Sequence, residues 1–378
     1  MPPNERYDAI VVGVGGMGSA TVSHLADRGL DVLGLERYDI PHTMGSSHGV
    51  TRIIRRAYYE HPAYVPLVER AYELWDDLAD ETGRDIVHRT GSIDAGPADS
   101  TVFEGSKRSC EEHDIPHEVL TGAEVNERFP GYGLPEDYRA VYQEDGGFVV
   151  PEQAIIAHTE RAQAAGAEIR GREAVHDWTA IDDGVRVTTA DGVYVADKLV
   201  LTAGAWAAKH VDALDGVVVP ERQVLGWFQP DDPARFRPDD FPVWNLSTPE
   251  GRFYGFPIYD VPGVKLGKYN HREEDVDPDD WNRDPDDVDE TILREFTRRY
   301  FPGSDGPTMR LTTCMFTNTP DDHFVLDTLP DDENVVVGAG FSGHGFKFAS
   351  TIGEVLADLA VDGETDHDVG MFSLDRFE

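Results

Sequence analysis

The chain has 378 residues, of which 72 are acidic and 33 are lysine or arginine, so its formal net charge is -39. A chain of this length can bury a core large enough for two lobes. Its charge repels nucleic acid and anionic lipid, so neither is an expected partner, and we interpret it as a surface adapted to high salt, where repulsion is screened. Strand-like sequence begins by Tyr7 and no apolar run reaches membrane-spanning length, so a cytoplasmic enzyme is expected.

The first predicted elements, between residues 7 and 36, form a β-α-β unit. The first strand leads directly into a GxGxxG turn made by Gly13, Gly15 and Gly18, and the turn opens a helix. Such a turn lets the backbone approach a pyrophosphate, which lies at the helix N-terminus. Glu36 ends the second strand, where it can accept hydrogen bonds from ribose hydroxyls, and an acid there disfavours NADP. The turn alone does not separate NAD from FAD.

Further along the chain, the periodicity changes several times. Helical spacing over 62–80 and over 151–165 predicts two helices, and alternation over 168–202 with two Asp-Gly turns predicts a small β-meander. Residues 216–320 are richer in proline and aromatic side chains, which indicates a different lobe. A buried strand at 335–338 and a helix near the C-terminus then return to the first lobe. The first lobe is therefore predicted to be assembled from separated segments.

Four further regions carry a specific resemblance. They are the loop 41–55 (PHTMGSSHGVTRIIR), the paired segments 254–257 (YGFP) and 264–267 (VKLG), the segment 314–321 (CMFTNTPD) and the segment 340–348 (GFSGHGFKF). Together they resemble the family of monomeric sarcosine oxidase and N-methyltryptophan oxidase, FAD-dependent amine oxidases of the D-amino acid oxidase superfamily. The chain is identified as a member because the matching segments follow the family's order over essentially the whole sequence.

The fold that this resemblance implies is α/β. It consists of an FAD-binding Rossmann-type domain and a second, mixed-sheet α+β substrate domain. The FAD domain is expected to be discontinuous, built from residues 1–85, 150–215 and 321–378. The substrate domain is expected to comprise residues 86–149 and 216–320.

The resemblance implies FAD as the cofactor, joined through the sulfur of Cys314 to its 8α-methyl group. The alternative for Cys314 is an ordinary small buried cysteine; with Cys110 as the only other cysteine, no disulfide framework is expected. Gly343, His344 and Gly345 are expected to open the last helix of the chain. The positive N-terminal end of that helix is then expected to lie near the flavin pyrimidine. The remaining residues expected to contact FAD are Gly13, Gly15, Gly18, Glu36, Arg37, Ser46, Thr51, Val175, Gly204, Trp206 and Lys347.

The resemblance also implies roles for charged residues at the reacting centre. Lys265 resembles the lysine that activates oxygen, since a fixed cation stabilises the superoxide formed when reduced flavin gives O₂ its first electron. Arg55 and Lys347 resemble the pair that holds the substrate carboxylate, for which arginine offers a bidentate fork. Arg52 and His48 resemble residues beside the flavin ring. The alternatives are a surface lysine at 265 and a structural histidine at 48.

Three aromatic residues are expected to line the substrate cavity. Tyr254 belongs to one of the matching segments, whereas Tyr269 stands where the sarcosine enzyme has a histidine. Phe316 replaces the tyrosine that usually follows the Cys-Met pair. These two departures leave the preferred N-alkyl amino acid open.

The expected function is oxidation of a secondary (N-methyl) amino acid such as sarcosine to an imine, which hydrolyses to an aldehyde and a primary amine, with H₂O₂ formed from O₂. Alternative substrates are N-methyltryptophan, pipecolate and glycated amino acids. Alternative functions are a dehydrogenase with a quinone or protein acceptor and a flavin-binding protein without turnover. The enzyme is expected to be a monomer, or at most a weak dimer. No metal is expected, because the acidic stretch 273–290 has Asp280 where a calcium loop needs glycine.

Overall fold

The protein is described by a computed structural model over residues 5–377. Its strands, in chain order, are β1 (Glu5–Val12), β2 (Val32–Leu35), β3 (Arg52–Ile54), β4 (Val87–Arg89), β5 (Ser92–Gly96), β6 (Glu118–Thr121), β7 (Arg139–Gln143), β8 (Gly147–Val149), β9 (Glu168–Arg170), β10 (Val175–Ile181), β11 (Gly184–Thr189), β12 (Val193–Leu201), β13 (Val219–Phe228), β14 (Val243–Thr248), β15 (Gly251–Phe256), β16 (Val264–Lys268), β17 (Thr308–Asn318), β18 (Val325–Leu329) and β19 (Asp332–Ala339). The α-helices are α1 (Gly16–Asp27), α2 (Val65–Thr82), α3 (Thr101–Glu112), α4 (Gly122–Arg128), α5 (Pro151–Ala164), α6 (Asp287–Tyr300) and α7 (Ala349–Asp362).

The first large sheet has the strand order β10-β11-β12-β1-β2-β9, with β19 paired to β12 and β18 to β19. Strands β19, β12, β1, β2 and β9 run parallel, and helices α1, α5 and α7 pack against them. Because the strands are covered, they are nearly continuous apolar runs. Their carboxyl ends meet at one edge of the sheet, where ligands bind in open α/β folds.

The predicted elements around this sheet are largely confirmed. The helices expected over 62–80 and 151–165 are α2 and α5, and the strand expected at 335–338 is the centre of β19. The two Asp-Gly turns connect β10 to β11 and β11 to β12, and Gly184 adopts the positive φ of +120° that such turns require.

Two local predictions are wrong. The β-meander expected over 168–202 consists only of β10, β11 and β12. The preceding strand, β9, follows the crossover helix α5 and therefore pairs parallel with β2 in the main sheet. The last helix does not open directly at Gly343-His344-Gly345. A short 3-10 helix, Phe346–Phe348, follows this segment, and α7 begins at Ala349.

The second large sheet has the strand order β17-β13-β16-β15-β14-β5-β7-β6, and helix α6 packs on it. Its core is aromatic: the rings of Phe253 and Phe296 stack with their centroids 3.7 Å apart, and Trp244 lies 4.5 Å from Phe301. A small sheet, β3-β8-β4, contains Arg52. No helix within residues 5–377 is long and apolar enough to cross a membrane.

Candidate active site

The three glycines of the GxGxxG turn do different work. At Gly13, with φ of +91°, a Cβ would lie 2.6 Å from the Thr202 carbonyl oxygen, and at Gly18 a Cβ would lie 1.7 Å from the Gly13 oxygen. These two positions need glycine so that strand and helix can pack closely. A Cβ on Gly15 would meet only the Ser47 hydroxyl, at 4.0 Å, and would otherwise project into open space. The absence of a side chain at Gly15 therefore leaves room for a pyrophosphate to lie close to the protein backbone.

Glu36 is fixed at the end of β2. Its carboxylate accepts hydrogen bonds from the backbone N–H groups of Val14 and Tyr38, both at 2.9 Å, and lies 3.3 Å from Nε2 of His42. A carboxylate offers about four acceptor positions, so at least one remains for a ribose hydroxyl. The side chain is buried and faces the cavity described next.

A long cavity starts at this turn and reaches the segments around Phe316 and Gly343. Its empty space, counted to the open mouth, is about 1360 Å³. The predicted residues in its wall are Gly13, Gly15, Glu36, Arg37, Ser46, Arg52, Val175, Gly204, Trp206, Phe316, Gly343 and Gly345. Those outside its wall are Gly18, Thr51, Cys314, His344, Lys347, His48, Arg55, Tyr254, Lys265 and Tyr269.

The acidic stretch 273–290, which has no calcium-loop pattern, contacts the end of the cavity next to Glu36. Asp279 pairs with Arg37 at 2.8 Å and accepts a hydrogen bond from the Trp206 indole at 2.8 Å. Lys209 donates to both Asp277 (2.5 Å) and Asp279 (2.6 Å). Both carboxylates are therefore paired with protein cations. Asp279 orients Arg37 and Trp206.

Lys265 projects from β16 into the turn that precedes β3. Its Nζ donates to the carbonyl oxygens of Gly49 and Thr51, each at 2.7 Å, and to the Thr51 hydroxyl at 2.9 Å. Burial lowers the pKa of Lys265 well below its usual value, and the nearby charge of Arg52 adds to this effect. Three acceptors around one nitrogen match the three donors of an ammonium group, which is the form we assign to it.

The turn itself is strained and held by an acid. Gly49 and Val50 both have positive φ, +95° and +74°, and for a β-branched residue this is a rare conformation. Glu152 Oε1 accepts the backbone N–H groups of both residues, at 2.8 and 3.1 Å. The contact fixes the carbonyl oxygens that hold Lys265.

Cys314 lies in β17, close to the same loop. Its sulfur is 3.9 Å from Nη2 of Arg52 and 3.7 Å from the carbonyl oxygen of Ser46, and Arg52 Nη2 donates to that oxygen at 2.7 Å. Burial raises the pKa of the Cys314 thiol, while the guanidinium of Arg52 opposes the rise. Both cysteines of the chain, Cys110 and Cys314, are buried free thiols.

His48 is buried beside these groups. Neither ring nitrogen has a hydrogen-bond partner within residues 5–377. Burial lowers the pKa of His48 to about 3, and the charges of Arg52 and Lys265 contribute, so its imidazole is neutral at pH 7.

Arg55 lies between two acidic side chains that were not predicted from the sequence as site residues. Its Nε is 3.0 Å from Asp94 and its Nη2 is 2.9 Å from Glu60. Asp94 also accepts from the hydroxyl of Ser106 (2.6 Å) and the amide of Asn245 (2.7 Å). Burial alone would lower the pKa of Arg55, but the two carboxylates raise it well above the usual value. The Nη1 atom of Arg55 has no partner in the described structure.

Lys347 is near this cluster and is held by the Gly343–Gly345 segment. Its Nζ donates to the His344 carbonyl oxygen at 2.6 Å and lies 5.1 Å from the centre of the Tyr58 ring. Burial, with repulsion from Arg55, lowers the pKa of Lys347 to about 7. His344 is fixed on both sides, by the Tyr58 hydroxyl at 2.6 Å and the Asp322 carbonyl at 2.9 Å.

The three predicted cavity aromatics do come together. The ring centroids of Tyr254 and Tyr269 are 5.0 Å apart, and those of Tyr269 and Phe316 are 5.8 Å apart. Gly343 packs on Phe316, since a Cβ there would lie 2.5 Å from the ring. Sequence reasoning missed one neighbour, Arg252, which lies over Tyr269.

A Rossmann turn followed by a buried carboxylate at the end of β2, a long cavity and buried cations beyond its far end are typical of a dinucleotide-dependent oxidoreductase. Residues 8–359 match the family described as DAO, FAD dependent oxidoreductase, and the chain belongs to this family. The match decides between the two cofactors that the turn left open, in favour of FAD. It also confirms the predicted fold class.

The chain is similar to proteins of known activity over nearly its full length. It is 42% identical to a monomeric sarcosine oxidase of Bacillus sp. (strain B-0618), covering 98% of this chain and 96% of the relative. It is 38% identical to an N-methyl-L-tryptophan oxidase of Yersinia pestis (strain Pestoides F), covering 98% and 99%. Among solved structures, NikD, an unusual amino acid oxidase essential for nikkomycin biosynthesis, has a TM-score of 0.84 and 29% identity, covering 98% of both chains. These matches confirm the family predicted from the sequence.

Proposed function

We propose that the protein oxidises secondary (N-methyl) amino acids such as sarcosine, giving an imine and then an aldehyde and a primary amine. The observation that carries this proposal is the pairing of two cationic sites near one aromatic wall. Lys265 is buried and forms no ion pair within the described residues, and Arg55 with Lys347 forms a second cationic site. The first suits reduction of O₂ and the second suits a carboxylate. The relatives named above act on amino acids of this type.

The cavity fits FAD, as the open space beside Gly15 and the carboxylate of Glu36 indicate. When bound, FAD supplies the two-electron acceptor and is regenerated by O₂ with release of H₂O₂. The turn from Gly13 to Gly18 would hold the pyrophosphate and Glu36 a ribose hydroxyl. Arg52, in the wall of the cavity, would place positive charge beside the ring system.

The substrate is proposed to bind with its amine neutral and its carboxylate at the second cationic site. Nη1 of Arg55 has no partner in the described residues, and the Lys347 ammonium uses one hydrogen bond of three. Tyr254, Tyr269 and Phe316 would enclose the N-alkyl group and exclude water from the imine as it forms. N-methyltryptophan, pipecolate and glycated amino acids remain alternative substrates, which differ from sarcosine in the groups on the nitrogen and the α-carbon.

The function is tested by mixing the purified holoprotein with sarcosine in the absence of O₂. A competent site bleaches the flavin band near the visible maximum, and admission of air restores it with release of H₂O₂. Bleaching that air does not reverse would favour the dehydrogenase alternative, whose acceptor is not O₂. If sarcosine, N-methyltryptophan, pipecolate and a glycated amino acid all leave the band unchanged, the protein binds flavin without turnover and the proposal is rejected.

We further propose that Cys314 holds FAD covalently. The thiol lies 3.9 Å from Arg52, a cavity residue whose charge favours the thiolate needed for bond formation. Protein denatured in SDS or precipitated with acid is therefore expected to stay yellow, and Cys314→Ala to release its FAD or to be isolated without it. Cys110→Ala is the matched control, because Cys110 is a buried thiol of helix α3 and is expected to leave the attachment intact. Free FAD in the supernatant of denatured wild-type protein contradicts the proposal.

A further inference from the structure

Arg252 is a cation of the substrate region that lies over aromatic rings. It lies two residues before Tyr254 on β15, so the two side chains are on the same face of the strand. Its guanidinium carbon is 3.9 Å from the ring centre of Tyr269 and 5.5 Å from that of Tyr59. The side chain is half-buried, yet within residues 5–377 it forms no ion pair and donates no hydrogen bond. Its five N–H donors are therefore available to a ligand.

Arg252 lies beside the cluster formed by Arg55, Glu60 and Asp94. The ring of Tyr59 is also 4.3 Å from the guanidinium carbon of Arg55, so the two arginines flank one tyrosine. Together with Glu60, Arg252 and Tyr59 line a cleft that helix α3 closes on its other side. Arg252 thus connects the aromatic wall at Tyr269 with this cleft.

The charges of Arg55, Lys347, Glu60 and Asp94 determine what the positive charge of Arg252 adds to the site. Arg55 and Lys347 are positive when ionised, and Glu60 and Asp94 are negative, so these four buried groups balance. Burial alone would raise the pKa of Glu60, but Arg55, His344, Lys347 and Arg252 together outweigh it and lower the pKa to about 2. A substrate with a neutral amine and one carboxylate would add one negative charge. Arg252 supplies one further positive charge beside these four groups to balance it, and charges interact strongly in an environment of low dielectric constant.

We propose that Arg252 determines specificity for a carboxylate on the substrate. The inference rests on the proposed function and extends it: Arg55 is largely committed to Asp94 and Glu60, and Arg252 provides the excess positive charge of the site. The protein then selects secondary amines that carry a carboxylate over uncharged secondary amines of the same shape.

The test uses methoxyacetate, which has the shape of sarcosine but an ether oxygen in place of the amine, and its uncharged amide. Binding to the oxidised holoprotein is followed by the change in flavin absorbance. In Arg252→Met the Kd of methoxyacetate is expected to rise about tenfold or more, the usual cost of losing one charge-assisted contact. Arg252→Lys keeps the charge and is expected to retain most of the affinity. The Kd of the amide is expected to be the same in all three proteins.

Arg128→Met is the matched control. Arg128 also lies over a tyrosine, 4.3 Å from the ring of Tyr142 in the same sheet, but it pairs with Glu118 at 2.8 Å. It reports what the loss of one positive charge does to a protein of this net charge, and we expect no change in either Kd.

The inference is overturned if Arg252→Met binds methoxyacetate as wild type does, if the amide loses as much affinity as the anion, or if wild type does not prefer the anion. Because the titration needs no turnover, its result is independent of the proposed function. A protein that shows the expected Kd pattern but is not bleached by any secondary amino acid keeps this inference and loses the proposed function. A protein that is bleached, with Kd values insensitive to Arg252, does the reverse.

Discussion

Lys265→Met is expected to slow reoxidation of the reduced protein by O₂ by about a hundredfold or more, equivalent to about 3 kcal/mol of transition-state stabilisation from one preorganised charge. The structure gives the physical reason. The ammonium is buried, its three donors are fixed by Gly49 and Thr51, and within residues 5–377 it forms no ion pair. Anaerobic reduction by substrate is expected to change much less. The two half-reactions are measured separately by stopped-flow absorbance.

Two further variants isolate the charge. Lys265→Gln retains a hydrogen-bond donor toward the Gly49 turn but has no charge, so its reoxidation should be as slow as that of the methionine variant. Lys268→Met, three residues further along β16, is the control for loss of a lysine from this strand and should reoxidise normally. Fast reoxidation of Lys265→Gln, or equal losses in both half-reactions for Lys265→Met, contradicts an oxygen-activating role.

Reoxidation by the wild type is also expected to depend on pH. Burial lowers the pKa of Lys265 well below its usual value, so the ammonium is present at low pH and is lost as pH rises through that lowered pKa. The rate constant for O₂ should fall along the same curve. In Lys265→Met this titration should disappear.

The sequence predicted best what local spacing determines. Gly13, Gly18 and Glu36 lie within one β-α-β unit, where strand, turn and helix fix their relative positions whatever the rest of the chain does. Tyr254, Tyr269 and Phe316 were predicted from the matching segments and a position next to one of them, and they do lie together in the structure. The domain boundaries, the covalent bond at Cys314, the adaptation to salt and the cytoplasmic location stay predictions.

The parts that were missed depend on contacts between distant segments. Asp94 reaches Arg55 from β5, and Arg252 reaches Tyr59 and Tyr269 from β15, pairings that no short-range pattern encodes. One signal was present for Asp94. It is the single charged residue of β5, whose five residues are all buried, and a carboxylate in such a strand needs a cation. The same reasoning would have pointed to Arg55, and would have shown that this arginine is already engaged.

That engagement decides which residue tests the carboxylate site. Arg55→Ala would leave Asp94 and Glu60 as unpaired buried acids, a change that typically destabilises a protein by about 3–5 kcal/mol. Loss of activity would then not separate binding from folding. Lys347 makes one hydrogen bond, to the His344 carbonyl oxygen, and no ion pair in residues 5–377, so its replacement breaks no direct ion pair.

Lys347→Met is expected to weaken carboxylate binding about tenfold to a hundredfold at pH 6, since a hydrogen bond to a charged group contributes about 1.5–3 kcal/mol. Wild type should also show a characteristic pH dependence. Burial and Arg55 lower the pKa of Lys347 to about 7, so below this pH the ammonium is already present and affinity is constant. Above it, binding of an anion must take up a proton, and the Kd should rise by up to about tenfold per pH unit. The Kd of methoxyacetate, which has no amine to titrate, is measured by flavin absorbance from pH 6 to 9. Lys347→Met should give a flat profile; if it retains the slope, or if wild type has none, Lys347 does not bind the carboxylate.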